Sequence, residues 1–189
     1  MTLFIKNMVC ARCIRTVSRL LDESGIAFQN VQLGEAVLSA SPNAMQLAAL
    51  RQRLELEGFE LLDDRNSQLV TQIKSLIVNE IHHASGKKPE VMNFSDFLAR
   101  EIGHEYSQLS KLFTSVEGLT IEKYIIAQRI ERVKELLVYG EQTFSEIAWQ
   151  AGYSSTQHLS NQFRQVTGLT PTQFKAERKQ YGRKALDTI

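Results

Sequence analysis

Only two cysteines, Cys10 and Cys13, occur in the 189 residues, three positions apart. They can build neither a disulfide framework nor a four-thiolate zinc site. No apolar run approaches the roughly 20 residues that span a membrane. The opening Met1-Thr2-Leu3-Phe4-Ile5-Lys6 lacks the charged start and long apolar core of a signal peptide. A cytoplasmic protein without a membrane partner is the expectation. Charge of one sign is missing as well: 22 Lys and Arg stand against 21 Asp and Glu, a formal net charge of +1. Any attraction for a polyanion must therefore come from a local surface. No Ser-His-Asp arrangement, phosphate loop or paired-carboxylate motif is found, so a binding protein rather than an enzyme is expected. What the chain does have is 43% apolar residues, enough for real cores, which excludes disordered and collagen-like classes.

Residues 1–64 change period repeatedly. Leu3-Phe4-Ile5 is a short apolar run, and Ile14, Val17, Leu20 and Leu21 then fall at helical spacing. Val31 and Leu33 alternate with polar residues, Gly34-Glu35 marks a turn, and Val37-Leu38 resumes an apolar stretch, which predicts a hairpin. Leu47, Leu50 and Leu54 share a helical face that ends at Gly58, and Phe59-Glu60-Leu61-Leu62 follows as a last strand. The order is βαββαβ, an α+β ferredoxin-like pattern. The polar cluster Asp63-Asp64-Arg65-Asn66-Ser67 marks a boundary, with an all-α domain expected over residues 65–189.

Beyond it, Val70, Ile73, Ile77, Ile81 and Ala84 form one amphipathic stripe, suited to core packing or to a homodimer, which Gly86-Lys87-Lys88-Pro89 ends. The remainder repeats itself. Phe94-Ser95-Asp96 returns fifty positions on as Phe144-Ser145-Glu146, Leu109-Ser110 as Leu159-Ser160, Phe113 as Phe163, and Gly118-Leu119-Thr120 as Gly168-Leu169-Thr170. Each copy, 94–118 and 144–168, is helix, glycine turn, helix, and the glycine-free segment 121–139 predicts one connecting helix between them. Trp149, just before Ala151-Gly152, is expected in the core of the second copy.

The second helix of such a unit offers its polar face to a major groove. In the first copy that face is Ser107, Ser110 and Lys111, and in the second Thr156, Gln157, His158, Ser160 and Asn161. Asn and Gln read adenine bidentately, Lys reads guanine or phosphate, and Ser or Thr bonds either. In the basic tail, Arg178 and Lys179 are candidate phosphate contacts. From about Leu69 to Lys179 the chain resembles the DNA-binding domain of the AraC/XylS family of bacterial transcription regulators. The resemblance is carried by Glu146-Ile147-Ala148, Gly152-Tyr153-Ser154-Ser155, His158-Leu159-Ser160, Phe163-Arg164 and Thr167-Gly168-Leu169-Thr170-Pro171 with Phe174. It implies two helix-turn-helix units on a long helix, with the eight polar positions where that family contacts bases. Double-stranded operator DNA and RNA polymerase are the partners it implies.

At the other end, Met8-Val9-Cys10-Ala11-Arg12-Cys13 lies at a strand-to-helix junction. Thiolates at i and i+3 of a helix start can converge on one soft ion, favoured by the helix dipole and Arg12. Cu(I) tolerates two thiolates, whereas a closed Zn²⁺ site takes four ligands, so Cu(I) is expected ahead of Zn²⁺ or Hg²⁺. A thiol–disulfide couple or two inert cysteines are the alternatives. His82-His83 could add ligands, but neighbouring helical residues diverge by about 100°, so solvated histidines are the expectation. Loop and strand order together resemble the heavy-metal-associated domains of copper chaperones and metal-transporting ATPases. This implies metal binding at Cys10 and Cys13, with Met8 and Phe59 in support; Asn7 stands where that family has glycine. The combination suggests a metal-controlled transcription regulator, with a redox-responsive regulator or a metal carrier with a vestigial DNA-binding half as alternatives. An alkyl-transfer repair enzyme is disfavoured, because two cysteines cannot build its four-thiolate zinc site.

Overall fold

The computed structural model describes residues 1–62, 65–83, 86–89 and 92–177, without the side chain of Glu177. The chain forms two compact units, Met1–Glu80 with Ser85–Leu119, and Ile81–Ala84 with Thr120–Ile189.

The first unit begins with β1 (Thr2–Lys6), α1 (Ala11–Glu23), β2 (Phe28–Gln32), β3 (Glu35–Leu38), α2 (Ala44–Leu56) and β4 (Glu60–Leu62). The sheet order is β2-β3-β1-β4, every pair antiparallel. Leu3 and Ile5 of β1, Ala36 and Leu38 of β3 and Leu61 of β4 are buried, as are Val17, Leu20 and Leu21 of α1 and Leu50 and Leu54 of α2. Both helices stop in the same way. Gly25 (φ 65°) and Gly58 (φ 81°) take the left-handed conformation, and the amides of Ile26 and Phe59 reach back to the carbonyls of Leu21 and Leu54, the Schellman arrangement. The hairpin turn sits at Leu33-Gly34, one residue earlier than expected, because Glu35 pairs with Phe4 and so belongs to β3.

Gly34 also ties the sheet to the next helix, α3 (Arg65–His82). Its φ is +83°, and a Cβ there would fall 2.3 Å from Ser75 Oγ and 3.1 Å from Thr71 Cγ2. Only glycine permits this approach. Val70, Ile73 and Ile77 of the predicted stripe are buried; Ile81 is half-buried and Ala84 lies outside the described residues. The unit ends with α4 (Phe94–Ile102), capped by Asn93, and α5 (Tyr106–Glu117), whose Phe97, Leu98, Leu109 and Phe113 are buried. The sheet and the first helix pair therefore share a unit, whereas composition alone suggests a division after residue 64.

The second unit is built on α6 (Ile121–Tyr139), with α7 (Phe144–Gln150), α8 (Thr156–Thr167) and α9 (Pro171–Glu177). Ile130, Val133, Leu136 and Leu137 of α6, Ile147 and Ala148 of α7, Leu159 and Phe163 of α8 and Phe174 of α9 make one core. Trp149 is not in it. It is 78% exposed, because it stands two residues, about 200° of helix, past buried Ile147. The same unit buries polar groups: Lys134 Nζ donates to Glu131 Oε1 at 2.6 Å, and His82 Nε2 donates to Gln128 Oε1 at 2.8 Å. His82 is thus hydrogen-bonded and half-buried rather than solvated, while His83 is exposed. Among the described residues no helix is long and apolar enough to cross a membrane.

Two expectations follow. Trp149→Ala should change unfolding free energy by no more than about 0.5 kcal/mol, as for other surface changes, whereas Phe163→Ala should cost about 3–5 kcal/mol. Chemical denaturation of both variants checks this, and a large loss at Trp149 would return it to the core. Burial, acting against the Gln128 bond, pushes His82 from 6.5 down to about 4, so the unfolded chain takes up this proton first. Stability should therefore fall as pH drops from about 6.5 to about 4. His82→Gln should flatten that segment of the denaturation profile; an unchanged slope contradicts the assignment.

Candidate nucleic-acid interface

The second helix of each pair is held from below by two large side chains, leaving its opposite face free of core duties. In α8 these are Leu159 and Phe163, both fully buried, with the Phe163 ring edge-on to Phe174 at 5.5 Å. Thr156, Gln157, His158 and Asn161 are then exposed, and Ser160 is half-buried at the margin. Ser155 caps the helix by accepting from the His158 amide at 3.1 Å, which fixes the first turn. Gln157 Nε2 donates to Asn161 Oδ1 at 3.0 Å, so the two amides most suited to a base edge lie side by side. His158 packs edge-on against buried Tyr153, ring centroids 5.3 Å apart, and the Arg129 guanidinium lies over the Tyr153 ring, 6.0 Å from its centroid. Glu146 closes the capping box of α7 with Thr143, whose hydrogen bonds hold its carboxyl below the ordinary range. Helix α8 contains no Asp or Glu, so nothing in it repels a phosphate backbone.

In α5, Ser107 and Lys111 are exposed and Ser110 is half-buried, above buried Leu109 and Phe113. The cap differs: Glu105 occupies it without a side-chain bond. Exposed Gln108 belongs to this face too and was not among the candidates. The signal was present, since the fifty-residue offset maps it onto His158. Arg178 and Lys179 lie outside the described residues; the last described cation is Lys175, exposed on α9.

The cysteine loop is a separate site in the first unit. Asn7 takes φ +72° and donates from Nδ2 to the Gly58 carbonyl at 2.9 Å, pinning the end of β1 to the start of β4. Asn tolerates this conformation better than most residues, which explains how it stands in for glycine. Met8 and Phe59 are buried. Cys10 caps α1 with an extended backbone and Cys13 lies in its first turn, their Sγ atoms 3.5 Å apart. Burial pushes the Cys10 thiol up, but the Cys13 amide and thiol, the Arg12 amide and the Arg12 guanidinium together outweigh it and leave Cys10 below the ordinary range. Burial dominates at Cys13, with the neighbouring Cys10 adding to it, and raises that thiol. Of the pair, Cys10 is thus the thiol that ionises more readily and Cys13 the one that ionises less readily. Iodoacetamide at neutral pH should alkylate Cys10 before Cys13, read by peptide mass spectrometry; equal or inverted rates would contradict the split.

With this geometry described, comparison with known proteins is informative. The family described as "Helix-turn-helix domain" matches residues 98–177. The probable transcriptional regulator LumQ of Photobacterium leiognathi is 30% identical over 117 residues, 61% of this chain and 44% of LumQ. The HTH-type transcriptional regulator YdeC of Bacillus subtilis is 25% identical over 131 residues, 69% of this chain and 44% of YdeC. The chain thus spans less than half the length of these relatives, which are described as regulators and not as enzymes. A transcriptional regulator from Chromobacterium violaceum, described as containing an AraC-type DNA-binding domain, superimposes with a TM-score of 0.51 at 28% identity, covering 63% of this chain and all of that one. Residues 98–177 thus match a helix-turn-helix domain family, and the C-terminal part of this chain is similar in sequence and fold to AraC-type DNA-binding domains.

Proposed function

We propose that the whole chain is a sequence-specific transcription regulator that binds promoter DNA through α5 and α8 and is controlled through Cys10 and Cys13. The observation that carries the first half is the exposed amide pair Gln157–Asn161 on a capped helix whose other face is locked into the core. Two adjacent amides can each bond an adenine edge, and Lys111 suits guanine or phosphate. RNA polymerase is the partner such a regulator acts on, and a homodimer is a further arrangement compatible with this reading.

The second half reads the βαββαβ domain as a ferredoxin-like, heavy-metal-associated module. The two thiols suit a soft ion such as Cu(I). Among the described residues no group of three or more His, Cys, Asp or Glu side chains could surround a metal, and a closed four-ligand Zn²⁺ site is not served by such a pair. A bound Cu(I) would be held by Cys10 and Cys13 and would supply a link between them. The protein contributes the rest: Asn7 fixes the loop on Gly58, and Arg12 favours the Cys10 thiolate. A metal alters DNA affinity only by its differential affinity for two states of the protein, and a tenfold effect takes about 1.4 kcal/mol of coupling. The 3.5 Å sulfur separation and the opposed thiol shifts favour one second reading, a dithiol–disulfide switch at the same pair.

Gln157→Ala or Asn161→Ala should cost about 1–3 kcal/mol on the target DNA and little on unrelated DNA; equal losses on both, in gel-shift titrations, would reduce these residues to phosphate contacts. Cu(I) titrated into the full chain should bind one per chain, and Cys10→Ser with Cys13→Ser should abolish both binding and any copper effect on DNA affinity. If the double variant responds to copper as the wild type does, the thiols are not the sensor. An oxidant effect without a copper effect selects the disulfide reading.

A further inference from the structure

The second helices of the two pairs begin differently. The fifty-residue offset sets Glu105 of the first copy against Ser155 of the second, each the residue that caps its helix. Ser155 commits its hydroxyl to α8, accepting from the His158 amide at 3.1 Å. Glu105 makes no such bond. Its backbone carbonyl accepts from the amides of Gln108 and Leu109 at 2.9 and 3.2 Å, so the main chain is fixed at the start of α5. The side chain is not. Glu105 is exposed, and among the described residues its carboxylate has no hydrogen bond and no ion pair.

The second helix of a helix-turn-helix enters the major groove with its N-terminal residues against the base edges. Glu105 stands at that end of α5, two residues before exposed Ser107 and three before exposed Gln108. An ionised carboxylate only accepts hydrogen bonds. In the major groove guanine presents the acceptors N7 and O6 and thymine the acceptor O4, and adenine sets the acceptor N7 beside its N6 amino donor. Cytosine alone presents an amino donor, N4, with no acceptor of its own beside it. The phosphates are anions and repel the carboxylate at every sequence.

We infer that Glu105 is a specificity-determining residue that accepts a hydrogen bond from the N4 amino group of a cytosine in the half-site read by α5. The inference rests on the DNA-binding reading of α5 above and adds to it the base at one position. The same charge acts against wrong sites, because its repulsion from the backbone is offset only where an amino group meets it. The half-site read by α8 has no counterpart of this contact, since Ser155 is engaged by its own helix.

The test is selection from a random duplex library with the full-length wild type, Glu105→Ser and Glu105→Gln, followed by gel-shift titration on every single-base variant of the selected site. The wild type should prefer cytosine at one position by about fivefold or more. Glu105→Ser, which gives α5 the kind of cap that α8 has, should lose that preference, keep the others and bind unrelated DNA more tightly. Glu105→Gln should move the preference from cytosine to adenine, whose N6 and N7 a side-chain amide bonds together. Thermal unfolding separates reading from folding: Glu105→Ser should unfold at the wild-type temperature or above it, so that a lost preference is not a lost helix. A wild-type motif whose base preferences neither variant changes reduces Glu105 to a charge at the start of α5 and overturns this inference alone. A change of affinity equal for all sequences does the same. If the wild type enriches no motif, the DNA reading falls, and this inference with it.

Discussion

The burial of Leu159 and Phe163 beneath Phe174 and the apolar stripe of α6 is the constraint on which the exposed polar face of α8 depends. A helix presents one face to the core, and its rotation is set by whichever side chains bury most area. With two large residues four apart held at 0% exposure, α8 cannot turn about its axis without pulling an aromatic into water. Thr156, Gln157, His158 and Asn161 are therefore outward by geometry, and the Ser155 cap fixes where their helix begins. In α5, Leu109 and Phe113 repeat the arrangement around Ser107, Gln108 and Lys111. The second face is amide-rich and carries exposed Arg164 one turn past Asn161, whereas the first carries Lys111.

The sheet is fastened to the helical part through an absence of side chain. Gly34 lets the hairpin turn settle onto Thr71 and Ser75 of α3 at a distance no Cβ could tolerate. The consequence is organisational. The hairpin, α3 and the first helix pair fall in one compact unit. A switch at Cys10 and Cys13 would lie on a loop already pinned by Asn7 to Gly58, and so to β4, whose last residue Leu62 accepts from Gln68 of α3.

The helical part was legible in the sequence because it is repeated: a periodicity that recurs with its glycines at a fixed offset is hard to produce without the fold it encodes. The four strands and two helices of the first 62 residues were legible from their changes of period, and the hairpin was misplaced by one residue because Gly34 serves the turn while Glu35 already pairs. Trp149 was misjudged through its type. Burial on α7 follows Ile147, Ala148 and Ala151, and a residue two past Ile147 is on the far side whatever its size. His82 could not have been read, since its partner Gln128 is 46 positions away and nothing local signals a buried hydrogen bond. The buried pair Glu131–Lys134 was hidden for the same reason: charged residues in a helix look solvated until a neighbouring helix covers them. For the cysteine pair, spacing showed that the sulfurs could converge, and their 3.5 Å separation agrees, but the opposite shifts of the two thiols depend on depth and on individual amides that spacing does not encode.

The central claim, that this chain reads DNA sequence, is tested most directly by selecting bound fragments from a random duplex library with the full-length protein at physiological salt. The account predicts enrichment of one motif, bound at least about 10³-fold more tightly than unselected DNA, with affinity falling steeply as salt rises. No enrichment after repeated rounds, or equal affinity for selected and unselected duplexes, would contradict it.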